Sequence, residues 1–272
     1  LHLPMVSLSN NQMKKCRSIA PTVASLHGSW LGERDGLITA RNVGEPAVFR
    51  NPNDLAILLS AEHYAKYEKT SALNAHVSIS NSKATQADFI ERYKMPPEWN
   101  CKTIYWGVDT DLFCPVEENG TSKRPREQVR TNYGFNYDDP VLLAVGRLAA
   151  RKGYSTLLRA FRIVIKEIPN AKLLIVGRGG MKKNLYKYAT KEGFKPSIRI
   201  ESSLDFNELS NVYNSCDLTI FPSYYEGQGL IPLESMSSGV PVIATNSGPI
   251  PEMVDDEAVS YTHLTLPTRA QV

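Results

Sequence analysis

Glu226 and Glu234 stand eight positions apart around the segment Gly227-Gln228-Gly229-Leu230. The apolar run Leu218-Thr219-Ile220-Phe221 precedes them and a helical pattern follows, so the stretch reads as a strand, a glycine-rich turn and a helix start. Gly227 and Gly229 let backbone N–H groups approach an anion, and the positive end of the following helix favours negative charge there. The turn Gly227-Gln228-Gly229-Leu230 is thus a phosphate and sugar site in outline. Glu226 in the turn and Glu234 about one helical turn further in are expected to face one crevice and to accept hydrogen bonds from sugar hydroxyls. Two carboxylates at this spacing recur by chance, so their weight depends on the elements that position them.

Those elements alternate in the second half of the chain. Val141-Leu142-Leu143-Ala144-Val145 is a continuous apolar run of the kind covered on both faces in a parallel sheet, and it ends at Gly146-Arg147. After Arg151-Lys152-Gly153 comes a helical stripe of Leu157, Leu158, Phe161, Val164, Ile165 and Ile168, stopped by Pro169. The run 172–176 meets Gly177-Arg178-Gly179, Asp205 with Glu208 forms a capping box, and strands are expected at 218–221 and 241–244. Such alternation predicts a doubly wound parallel sheet, which binds ligands at the carboxyl ends of its strands. That edge would collect Arg147, Lys152, Gly146, Gly177, Gly179, Glu226 and the 227–229 turn. Taken singly, Arg147 and Lys152 read as solvated cations, and the G-x-G pair serves a tight turn or packing equally well.

The first half is less marked. A β-like run from Thr22 closes on His27, which alone reads as a surface or packing residue. Residues 34–52 are rich in turn formers and read as a loop. Asp54 is expected to cap a helix through about Lys69 with Leu55, Leu58, Leu59 and Tyr64 on one side. A strand at 75–80 then leads to a helix opened by Ser82, carrying Phe89, Ile90 and Tyr93 inward and stopped by Pro96 and Pro97. Ser80 and Ser82 suit capping or the wall of a cleft; His76 reads as structural.

Set together, these segments resemble the retaining, nucleotide-sugar-dependent glycosyltransferases of family 4, the group 1 enzymes with two Rossmann-like domains in the GT-B arrangement. The residues carrying the likeness are the glutamate pair, the Gly146-Arg147 and Lys152-Gly153 segments, and Gly107-Val108-Asp109 with Phe113 and Pro115. The resemblance implies an α/β fold with two doubly wound domains facing a cleft: an acceptor-side domain at 1–115, a linker at 116–139 and a nucleotide-sugar domain at 140–258, both domains incomplete. It assigns catalytic roles to Glu226, Arg147, Lys152 and His27, with the two cations neutralising the donor diphosphate and His27 near the donor sugar. Glu234 would meet the ribose, while Gly146, Gly177, Gly179, Gly227, Gln228, Gly229 and Leu230 would surround the nucleotide sugar. The segment 245–252 resembles the family's glycine-proline-glutamate loop, with a structural role. The chain departs from the pattern at Trp106, where asparagine is usual, at Gln228, where phenylalanine is usual, and at Arg178, where an acidic residue is frequent. Residues 259–272 match nothing in the family pattern and read as a non-native tail.

Composition bounds the partners. The 31 basic and 28 acidic residues nearly cancel, which argues against a dedicated nucleic-acid binder. Four scattered cysteines, Cys16, Cys101, Cys114 and Cys216, suggest neither a zinc site nor a disulfide framework and suit a reducing, cytoplasmic compartment. No run is long enough to span a membrane, although peripheral contact with one stays open. The expected substrates are a UDP- or GDP-linked sugar and a glycan, lipid or small-molecule acceptor, with no resident cofactor and no metal. The alternatives are a non-catalytic nucleotide-sugar-binding or scaffold protein and a nucleotide-sugar epimerase of the same architecture.

Overall fold

The computed structural model describes residues 2–4, 8–45, 51–116, 126–202 and 204–253. Two parallel sheets organise them. The first has the order β1 (His2–Pro4), β2 (Val23–Leu26), β3 (Val77–Ser80), β4 (Cys101–Thr103) and is accompanied by α1 (Asn10–Ile19), α2 (Trp30–Asn42), α3 (Pro52–Asn74) and α4 (Lys83–Tyr93).

After α5 (Arg126–Asn132), the second half adds β5 (Val141–Val145), α6 (Tyr154–Glu167), β6 (Lys172–Val176), α7 (Lys182–Lys191), β7 (Ile198–Glu201) and α8 (Phe206–Ser215). It continues with β8 (Leu218–Phe221), α9 (Leu230–Ser237), β9 (Val242–Ala244) and α10 (Ile250–Met253). Its strands lie in the order β7-β6-β5-β8-β9, so the chain winds outward from β5, returns, and winds out on the other side. That reversal opens a crevice between the loops after β5 and β8, where Gly146-Arg147 and the glutamate turn lie. The expected α/β architecture with two parallel sheets is present. Strands β5, β6 and β8 occupy the expected apolar runs, and Asp205 and Glu208 form the expected capping box on α8.

The first half adds β1 and α1, which the reading did not include, and differs from it at α2, α3 and α4. Residues 34–42 are not loop but part of α2, whose N-cap Ser29 accepts from the Gly32 amide. Gly36, in the stretch read as loop, and Gly32 lie one helical turn apart and form a groove for Tyr225; a Cβ at either would overlap that side chain. Helix α3 is capped by Asn51 rather than Asp54 and runs on to Asn74. Its inward residues are Ala61, Ala65, Glu68, Ser71 and Ala72, whereas Leu55, Leu59 and Tyr64 are exposed. On α4 Phe89 and Tyr93 are buried but Ile90 faces out. Strand β7 has no counterpart among the expected elements. The 259–272 segment lies outside the described residues.

Carboxylates fasten the two halves by capping each other's helices. Glu45, before α3, accepts from the amide and hydroxyl of Ser155 at the start of α6. Glu252 on α10 accepts from the Lys83 and Ala84 amides at the start of α4, at 2.8 and 2.6 Å. Asp54 accepts from the Ala150 amide, at the start of the 3-10 turn Ala150–Lys152. Each places negative charge where unpaired N–H groups and the helix dipole favour it. The hydrophobic core is also shared: Leu37 and Ala40 of α2 are buried in one cluster with Leu157, Phe161 and Leu173 of the second half.

Candidate active site

The loops at the carboxyl ends of β2, β3 and β4 face those of β5 and β8. A cavity of about 290 Å³ between them is lined by His27, Trp30, Glu33, Ile57 and Glu68 from one side and by Arg147, Arg151, Tyr225, Glu226 and Gly227 from the other. Glu226 and Lys152 form an ion pair, each side chain 12% exposed. Burial lowers the Lys152 pKa, Glu226 opposes that shift, and Arg151 and Arg147 add to it. Lys152 is thus a buried cation paired with one carboxylate and close to two guanidinium groups.

Arg151 is buried: it pairs with Glu33 at 2.9 Å and donates to the Tyr225 carbonyl at 3.1 Å. Arg147 is exposed at the end of β5. The glycines around these cations set backbone distances. A Cβ on Gly177 would overlap the Gly146 carbonyl and one on Gly179 the Leu148 carbonyl, so the loops after β5 and β6 touch backbone to backbone. They are joined there by the Gly146 amide to Val176 and the Leu148 amide to Arg178. Gly146, Gly177 and Gly179 therefore shape the crevice floor without lining the cavity.

His27 lines the cavity, its ring 4.6 Å from that of Trp106. Its Nε2 is buried without a hydrogen-bond partner among the described residues, and burial, aided by the charge of His2, lowers its pKa. Gly227 presses on the His27 carbonyl and leaves no room for a Cβ. Its own carbonyl accepts from Ser82 Oγ at 2.6 Å and Thr85 Oγ1 at 2.9 Å. Ser82 thus both caps α4 and binds the glutamate turn.

The remaining predicted residues are placed differently. Gln228 is buried, and its amide is spent on the Trp106 backbone. Gly229 is the N-cap of α9 and Leu230 its first residue. Glu234, on α9, borders neither cavity that Glu226 touches; it accepts from the Tyr213 hydroxyl at 2.8 Å, and burial raises its pKa. The two glutamates therefore share neither of the two cavities described.

Sequence reasoning gave no role to Tyr225, Arg151, Glu33, Trp30 or Glu68. Tyr225 crosses from the glutamate turn into the α2 groove, where its hydroxyl accepts from the Ser29 amide at 2.7 Å and reaches Asp88 at 3.1 Å. It separates the cavity above from a smaller one of about 190 Å³ bordered by Asp35, Asp88, Arg92 and Glu226. The only signal for its seat was the Gly32–Gly36 spacing. Among the described residues no helix is long and apolar enough to cross a membrane.

Comparison with known proteins agrees with this layout. Residues 125–265 match the family of glycosyl transferases group 1. The D-inositol 3-phosphate glycosyltransferase of Corynebacterium aurimucosum is 32% identical over 189 residues, 67% of this chain and 44% of that protein. The GDP-mannose-dependent alpha-(1-6)-phosphatidylinositol monomannoside mannosyltransferase of Mycolicibacterium smegmatis is 28% identical over 241 residues, 86% of this chain and 54% of that one. The chain spans about half the length of the curated relatives it matches. Among solved structures, HepE of Anabaena in complex with UDP-glucose superposes with a TM-score of 0.67 at 21% identity, covering 94% of this chain and 64% of that one. That likeness is one of fold, the Rossmann-like GT-B architecture. With more than half of its length inside the family match, the chain belongs to the glycosyl transferases group 1.

Proposed function

We propose that the protein acts as a retaining hexosyltransferase of the family 4 type, moving a sugar from a UDP- or GDP-linked donor to an acceptor held against the first sheet. The observation that carries this reading is the convergence of Lys152, Glu226, Arg147 and His27 on one crevice at the sheet's switch point. In the reaction the bond from the sugar's anomeric carbon to the diphosphate oxygen breaks, and its electron pair leaves with the diphosphate. The acceptor hydroxyl oxygen bonds to the same face of that carbon, and its proton passes to the departing phosphate oxygen. Arg147 and Lys152 stabilise the charge that develops, a guanidinium fork and an ammonium suited to two phosphates. Glu226, released from Lys152 by the incoming diphosphate, holds the sugar hydroxyls, and His27 bounds the sugar from the opposite side. Two side-chain cations at the diphosphate make the step metal-independent. Glu234 and the start of α9 take the nucleoside.

Relatives support a sugar transfer of this kind, since those named above are glycosyltransferases and one is GDP-mannose-dependent. Thermal unfolding with UDP, GDP and their sugar conjugates tests the reading. One nucleotide is expected to stabilise the protein selectively, an effect lost in Arg147→Ala, and chelator is expected to leave it unchanged. A folded protein stabilised by none of them would remove the donor site.

A further inference from the structure

The cavity is electrostatically divided. Its second-half wall carries the cations Arg147 and Arg151, with Lys152 behind Glu226, whereas its first-half wall carries Glu33 and Glu68 and no cation among the described lining residues. Glu68 is the less expected of the two carboxylates. It is only 6% exposed, yet both bonds it accepts, from the Trp30 amide at 3.1 Å and from the Tyr93 hydroxyl, fall on Oε2. Oε1 takes none among the described residues, which leaves it as the oxygen that Glu68 can offer to the cavity it lines. A buried carboxyl with one oxygen satisfied and the other turned to an opening is built to meet a hydroxyl.

The neighbouring surface suits a ring. Trp30 borders the cavity with its indole stacked on Tyr64, centroids 4.7 Å apart and planes 23° apart, which fixes it as a flat apolar wall beside Ile57. Aromatic and aliphatic surface against the C–H face of a sugar, with carboxyl oxygens at its edge, is a complementary arrangement for a polyol. For a phosphate it is the reverse. Glu33 is already balanced by Arg151, and each further negative group near Glu68 adds like-charge repulsion in a poorly hydrated space. Burial, with Asp88 and Glu33 nearby, raises Glu68 to about 7, so the wall already resists carrying its own charge.

We infer that Trp30, Ile57, Glu33 and Glu68 form the acceptor subsite and that it takes an uncharged polyhydroxylated ring, a sugar or cyclitol without phosphate beside the reacting hydroxyl, which Glu68 Oε1 holds. The inference rests on the transferase reading for the word acceptor. It separates this chain from those relatives whose names specify an inositol phosphate.

Ligand-observed saturation-transfer NMR on the full chain tests it with two matched pairs: myo-inositol against myo-inositol 3-phosphate, and methyl α-glucoside against glucose 6-phosphate. In at least one pair the neutral ring is expected to bind about tenfold more tightly than its phosphate, and Glu68→Gln to weaken it about fivefold without changing nucleotide-induced stabilisation. Glu33→Gln, on the partly exposed face of α2, is expected to raise the affinity of the phosphorylated ring. Equal or tighter binding of the phosphates, no binding of either neutral ring, or neutral-ring affinity unchanged in Glu68→Gln would overturn the inference. Nucleotide stabilisation with any of those outcomes refutes this subsite alone. Neutral-ring binding as expected, with no response to any nucleotide, keeps the polyol site and refutes the donor reading.

Discussion

The side-chain amide of Gln228 grips the peptide of Trp106 from both sides, accepting from its N–H at 2.8 Å and donating to its carbonyl at 2.7 Å. These are two of the positions at which the chain departs from the pattern it resembles, and they are bonded to each other across the two halves. Trp106 in turn lies against the His27 ring. A phenylalanine at 228 could make neither bond, so Gln228 ties the Trp106 backbone to the glutamate turn in a way the usual residue could not.

Gln228→Phe is accordingly expected to destabilise the protein by about 1–2 kcal/mol, because two part-buried hydrogen bonds to the Trp106 backbone are lost together. The melting temperature should fall by several degrees. The His27 ring signals should shift in NMR as Trp106 loosens; unmoved His27 signals would show that Trp106 does not depend on Gln228 for its place.

Tyr225 and the α2 groove form a second coupled pair. Gly32→Ala should cost about 1–3 kcal/mol through overpacking against the tyrosine ring, and Tyr225→Ala should lose its packing and hydroxyl bonds. In the double variant the alanine methyl no longer meets the ring, so a double-mutant cycle by denaturant unfolding should return a coupling of at least about 0.5 kcal/mol. Strict additivity would mean that the two do not touch in solution.

For the proposed transfer, Lys152→Ala should lower kcat/KM by about 10²–10³-fold, comparable with loss of one preorganised charge-stabilising donor. Glu226→Gln should also be impaired, yet should leave nucleotide binding largely intact, since the amide removes no cation from the diphosphate. Kinetics on the two variants, with UDP and GDP binding measured alongside, separates these roles.

Glu68 gives the pH dependence a definite sign. Burial, the largest cause, raises its pKa from 4.5 to about 7, against the lowering effect of Tyr93 and Trp30 and with added repulsion from Asp88 and Glu33. The native state therefore holds a proton that the unfolded chain releases. The associated stability is fully present below pH 4.5 and is lost as the pH rises through 7. Relative to Glu68→Gln, the wild type should lose about 3 kcal/mol between pH 4 and 8. Melting temperatures of the two proteins across that range check it; parallel curves would show that Glu68 is not buried as described.

The second sheet was legible because its signals are local. Val141–Val145, Lys172–Val176 and Leu218–Phe221 are short apolar runs, the first two closed by glycine and the third by Pro222, and a parallel strand covered on both faces has little other way to be written. The α8 capping box was equally plain, since its partners are three residues apart. The first half was misread where a residue's role belongs to the other half. Asp54 resembles a cap and does cap, but across the interface at Ala150. Gly36 counted among the turn formers of a loop, whereas Tyr225 supplies the reason that it and Gly32 lack side chains.

The sequence by itself determined the alternation of strands and helices, the crevice edge carrying Arg147, Lys152 and Glu226, and the family likeness that these residues share. Those follow from periodicity and from glycine and charge at strand ends, which act over a few residues. Tertiary structure alone decided which carboxylate meets Lys152, that Glu234 turns to Tyr213 instead, that Gln228 is spent on Trp106, and that Glu68 stands in the cavity wall. Each of these joins positions far apart in the chain or depends on burial, and neither separation in space nor loss of water is written in local spacing.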